Sequence, residues 1–203
     1  MKIKKILIVL FLFILCGCKG ENINNLSVEE IINSSIENPV NITNTNAIGY
    51  KYYLPNDFTL TKDDGYNNML LSDNTYYYLN IDVISYYYNQ VISTEHKLDD
   101  YLYYEFGTNE TKGFLRITKS KSKFLVELCY NYAIIEAEVE NYNIRYAVSR
   151  GMSILTSIKY NDLVIDKYIS DGNSDGIDSA YNIPGPAVKK DKNVLEYIEE
   201  DEE

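Results

Sequence analysis

Apolar patterning along the chain predicts an α+β fold: an antiparallel sheet with an amphipathic C-terminal helix and one or two further helices packed on it. Three observations carry that prediction. Residues 113–119, 124–130 and 133–140 are β-rich runs separated by turn-forming residues, as successive antiparallel strands require. Ile144, Ala147, Val148, Gly151, Met152, Leu155 and Ile158 then recur at helical spacing as one apolar stripe. Near the other end, Ser27 with Glu30 three residues on is a capping-box pattern, followed by Val28, Ile31, Ile32 and Ile36 at helical spacing.

Taken in order, that first helix should stop at Pro39, and 41–46 reads as a linker. Residues 49–54 alternate as a strand, Pro55 breaks it, and 58–61 resumes as another. After the Asp63-Asp64-Gly65 turn and residues 68–71, a long β-rich run covers 75–88. In that run Tyr77, Leu79, Ile81, Val83 and Ser85 share one face, and Tyr76, Tyr78, Asn80, Asp82 and Ile84 the other. Ser93 or Thr94 can cap a helix in which Leu98, Leu102 and Phe106 fall four apart. In the 133–140 strand Ile135, Ala137 and Val139 point one way and Glu136, Glu138 and Glu140 the other, which gives it one solvated face. Gly151 lies inside the helical stripe, where a close approach to the sheet accounts for its poor helix propensity. Residues 163–169 read as one last strand or a loosely packed segment, and 196–203 as an acidic tail.

The first eighteen residues set the compartment. Lys2, Lys4 and Lys5 precede an apolar run from Ile6 to Leu15, ten residues long. That length suits a signal-peptide core and falls well short of the ~20 residues that span a bilayer. Leu15-Cys16-Gly17-Cys18 follows and resembles the lipobox of bacterial lipoproteins, Leu-small-small-Cys. The resemblance implies cleavage before Cys18 and lipid on its thiol, with acylation of the new amine as well. Two or more acyl chains hold a protein on a membrane stably. The expected organisation is a signal peptide at 1–17, a lipidated tether with a short helix at 18–46, a globular α+β domain at 47–165 and a flexible acidic tail at 166–203. The expected location is the extracytoplasmic face of the cell membrane. Of the three cysteines only Cys129 then remains free, so the mature chain has no internal disulfide.

Loss of the three leader lysines takes the formal net charge from −11 to −14. Such a surface argues against nucleic acid, whose binding rests on Lys and Arg at phosphates. It leaves membrane affinity to the acyl chains on Cys18. Ile, Asn and Tyr supply about a third of the chain, a bias that AT-rich codon usage explains without any functional cause.

Gly49, Tyr50, Tyr52, Pro55 and Phe58, with Leu155, Ser157 and Ile158 in the closing helix, resemble the PsbP/Mog1-like fold found in small lipoproteins of the DcrB and LpqN kind. The resemblance covers 47–160. It implies helices packed on one face of an antiparallel sheet, and accessory or binding roles without a shared catalytic site.

Chemistry is sparsely represented. His96 is the one histidine and lies in a polar stretch. A Ser–His–Asp or Cys–His hydrolase would have to use it. Cys129 sits mid-strand as a packed side chain. A carboxylate-pair hydrolase needs no histidine, and Glu136 and Glu138 share a face, but strand alternation alone places them there. The composition therefore argues for a non-catalytic binding or accessory module, its partner a membrane or envelope protein. Two further sites are candidates. Asp171, Asn173 and Asp175 with Gly176, followed by Asp178, resemble the first half of an EF-hand-type calcium loop. Position 12 is Asn182 rather than Glu, and a plain linker has the same composition, so Ca2+ and no cofactor both stand. Tyr76, Tyr78, Tyr86 and Tyr88 offer an aromatic surface for a partner, a small molecule or a carbohydrate.

Overall fold

A computed structural model describes residues 22–170, except 95 and 110. Seven strands form one antiparallel sheet: β3 (Thr59–Asp64), β4 (Asn67–Ser72), β5 (Thr75–Ile81), β6 (Asp100–Gly107), β7 (Lys112–Ser120), β8 (Lys123–Tyr130) and β9 (Ala133–Val139). Their spatial order is β3-β4-β5-β9-β8-β7-β6. A second sheet orders β1 (Thr45–Ala47), β2 (Tyr50–Tyr52) and β10 (Lys159–Tyr160) as β1-β2-β10. The described residues also form helices α1 (Val28–Glu37), α2 (Val83–Tyr87), α3 (Ile144–Leu155) and α4 (Asp162–Ser170), with short 3-10 turns at Ile23–Asn25 and Asn141–Asn143. The α+β class and the antiparallel sheet are as the patterning predicts.

Helix α3 packs on the centre of the large sheet. Every residue of its predicted stripe is buried, from Ile144 to Ile158. Gly151 marks the closest approach: a Cβ there would lie 2.7 Å from Leu128 Cδ1 and 3.0 Å from Ile135 Cγ2. Beyond the helix, the Ser157 hydroxyl donates to the Ile154 carbonyl at 2.6 Å and accepts from the Tyr53 backbone N–H at 2.8 Å. That contact fastens the end of β2 to the end of α3. Tyr50, Tyr52 and Phe58 are buried beside it.

The capping box of α1 forms as read. Ser27 Oγ accepts from Glu30 N–H at 3.1 Å, and the Glu30 carboxylate accepts from Ser27 N–H at 2.7 Å. Ile31 and Ile32 are buried in the same core as α3. Residues ahead of Ala47 are thus part of the described core, because the apolar face of this helix has a partner.

Three local expectations change. The 75–88 run is a strand only to Ile81. Asp82 then caps α2, one carboxylate oxygen accepting from Ser85 N–H and the other from Ser85 Oγ, at 2.8 and 2.7 Å. The helix expected through Leu98, Leu102 and Phe106 is strand β6. A spacing of four satisfies period two as well as period 3.6, and Tyr104, between the last two, lies on their face of the sheet. Leu98 lies outside the strand and is fully exposed. Residues 163–169 are helical: the Asn161 carbonyl accepts from Val164 and Ile165 N–H at 3.1 and 3.0 Å, starting α4 with Ile165 buried.

Gly151→Ala should destabilise the fold by up to about 2 kcal/mol. Overpacking costs about 1–3 kcal/mol, against about 1 kcal/mol gained in helix propensity. Ser157→Ala should cost about 1–3 kcal/mol by leaving the Tyr53 N–H without its acceptor. Urea denaturation midpoints measure both, and a stabilised Gly151→Ala would contradict the close approach.

Candidate functional site

The large sheet turns one face to α1 and α3 and the other away from them. Strand register places Tyr103, Arg116, Glu127, Glu136, Tyr78 and Met69 in one row across that second face. Arg116 donates to Glu127 Oε2 at 3.2 Å, and its Nε lies 3.9 Å from Asp100 Oδ1. The segment between α2 and β6 crosses above these strands. The Tyr103 hydroxyl donates to the Thr94 carbonyl at 2.9 Å, and Asp100 accepts from Lys97 N–H at 2.7 Å.

The glutamates read as a solvated row are thus half-buried. Burial, reinforced by Glu127 opposite and opposed by Arg116, pushes the Glu136 carboxyl up to about 7. Burial also raises Glu127, against the pull of Arg116 and Lys97. Sequence reasoning missed this arrangement because only strand register brings Glu127 beside Glu136. Two neighbouring carboxyls are the chemical raw material of a hydrolase. Here it stands on a sheet face, and the two cavities described lie elsewhere.

The four candidate tyrosines do not form one surface. Tyr76 and Tyr78 lie on the β5 face that bears Glu136, with Tyr76 half-exposed. Tyr86 belongs to α2, its ring stacked on Tyr160 at 3.9 Å and edge-on to Tyr132 at 5.4 Å. Its hydroxyl donates to Asp162. Tyr88 ends α2 and is exposed. The break at Asp82 separates the two pairs.

Of the remaining candidates, Cys18 and the calcium-type residues Asp171, Asn173, Asp175 and Asp178 lie outside the described residues. Among the described residues no group of three His, Cys, Asp or Glu side chains is placed to hold a metal ion. Likewise, no described helix is long and apolar enough to cross a membrane. His96 is exposed, its ring 5.3 Å from that of Tyr103. Cys129 is buried, which pushes its thiol up to about 12 and leaves it protonated at physiological pH.

The larger cavity is an open groove of about 700 Å3 beside the small sheet, where β2, β10 and the start of α4 meet. Ile48, Lys51, Lys159, Asp162, Leu163 and Val164 line it. No sequence motif marks it, because it joins residues more than a hundred positions apart.

No known protein family matches the chain, and no curated protein matches it.

The protonation of Glu136 has a measurable consequence. Folded, the carboxyl keeps its proton to about pH 7; unfolded, it loses it near 4.5. Between those values the folded state binds more protons, so stability falls as pH rises through the window. A shift of that size corresponds to about 3 kcal/mol. Glu136→Gln should flatten the decline and raise stability above pH 7 by about 2–3 kcal/mol in urea denaturation. An unchanged pH slope in the variant would contradict the burial of this group.

Proposed function

We propose that this protein is a lipid-anchored extracytoplasmic module that binds a membrane or envelope protein and carries out no chemistry of its own. The observation that carries the reading is Leu15-Cys16-Gly17-Cys18 directly behind the lysine-flanked, ten-residue apolar run. Cys18 bears the acyl chains, and the acidic body stands off the membrane on the residues that follow.

The layout of the body supports a partner at the end remote from the membrane. The chain enters beside the first turn of α3, where Arg145 Nε donates to the Leu26 carbonyl at 2.7 Å. Helix α2, β10 and α4 meet beyond its last turn, about 18 Å further along for a twelve-residue helix. Exposed apolar side chains gather at that far end: Tyr87 and Tyr88 on α2, Val91 after it, Leu163 on α4 and Ile48 before β2. Such a cluster on an otherwise acidic protein suits contact with another protein. The PsbP/Mog1-like assignment fits the same role. The residues that carry it come from both ends of the domain and meet through the Tyr53–Ser157 hydrogen bond.

Metabolic labelling with a fatty acid tests the anchor. The wild-type chain should take up label and sediment with membranes, whereas Cys18→Ala should do neither. Label retained in Cys18→Ala overturns the reading.

A further inference from the structure

We propose that the groove beside the small sheet receives the acidic C-terminal segment 194–203 of this same chain. Two lysines, Lys51 and Lys159, stand at this groove. They are direct partners across the antiparallel β2–β10 pair, so their side chains leave the same face, and both line the groove. Like charges so placed repel each other. Neither has a carboxylate partner among the described residues. Lys159 Nζ donates to the Asn41 carbonyl at 2.9 Å, a neutral acceptor that leaves its charge uncompensated. The one acid on the groove wall, Asp162, accepts from the Tyr86 hydroxyl.

Three exposed apolar side chains also line it, beside the polar Asn46 and Asn161. Ile48 is 59% exposed, Leu163 84% and Val164 38%. An occupant that satisfies this groove must present carboxylates to the two lysines and aliphatic or aromatic surface to these three side chains. Residues 194–203 have that composition. Val194, Leu195, Tyr197 and Ile198 are apolar, the other six residues are Asp or Glu, and there is no base.

Reach is no obstacle. Helix α4 starts at the groove and is nine residues long, so its end lies about 14 Å away. The 23 residues from 171 to 193 can span roughly 75 Å when extended. Joining the segment to the groove through the same chain also raises its effective concentration to about millimolar, so a modest contact suffices. The inference stands whether or not the chain is lipidated.

Photo-crosslinking in the full chain tests it, with p-benzoylphenylalanine placed at Tyr197 and the products mapped by mass spectrometry. Cross-links should form within one molecule, to 46–51 or 159–164. Lys51→Glu with Lys159→Glu should reduce their yield about tenfold, because both charge pairs are lost. Lys123→Glu, an exposed lysine at the start of β8, should leave the yield unchanged. The single change Lys51→Glu sets opposite charges across β2–β10, so its thermal melt shows that a fall in yield is not a failure to fold. Cross-links between two molecules, cross-links spread over the surface, or a yield indifferent to the lysine changes would each overturn the proposal.

Discussion

The structure depends on how closely α3 can lie on the middle of the large sheet. Gly151 removes the one Cβ that would strike Leu128 and Ile135, on neighbouring central strands. The approach it permits brings Ala147, Val148, Met152 and Leu155 into near-complete burial. Each large side chain so buried is worth about 1.5–3 kcal/mol. Surface ion pairs contribute far less. Arg150 reaches Asp57 at 2.8 Å and Asp73 at 2.9 Å, but all three side chains are partly exposed and such pairs are worth about 0–1 kcal/mol. With Cys129 buried as a free thiol, apolar packing against one helix holds the described body together.

That packing divides the molecule. The helix side is apolar and takes in α1 through Ile31 and Ile32. The opposite side carries the Arg116, Glu127 and Glu136 row, partly roofed by the segment that crosses from α2 to β6. Burying that row leaves Arg116 Nε and Asp100 Oδ1 without hydrogen bonds, a cost that the core on the other face must offset. The end of the molecule beyond α3 is different again, a cluster of tyrosines tied to α4 through Asp162 and Asp166. Exposed tyrosines Tyr87 and Tyr88 lie at that end, away from the Arg145–Leu26 contact.

Much of the scaffold was legible because its signals are local. Ser27 and Glu30 sit three apart, and the α3 stripe repeats with one period over fifteen residues. The hairpins joining β7, β8 and β9 follow from alternation and turn chemistry. Even the role of Gly151 could be read from a glycine in an apolar stripe. The losses have equally specific causes. Leu98, Leu102 and Phe106 satisfy two periodicities at once. Asp82 ends β5 through its own side chain, a short-range competition that β-rich neighbours conceal. The Glu127–Glu136 pair and the Lys51–Lys159 pair are products of register between strands, which no single stretch of sequence encodes.

The described body is built on one helix–sheet contact, and the chain as a whole is acidic. Lipid on Cys18 is the central proposal. Mass spectrometry of the N-terminal peptide from the membrane-extracted protein measures this directly. The account predicts a mature chain that begins at Cys18, with its thiol carrying a diacylglyceryl group. A peptide that retains the leader, begins at another residue, or carries an unmodified Cys18 would contradict it.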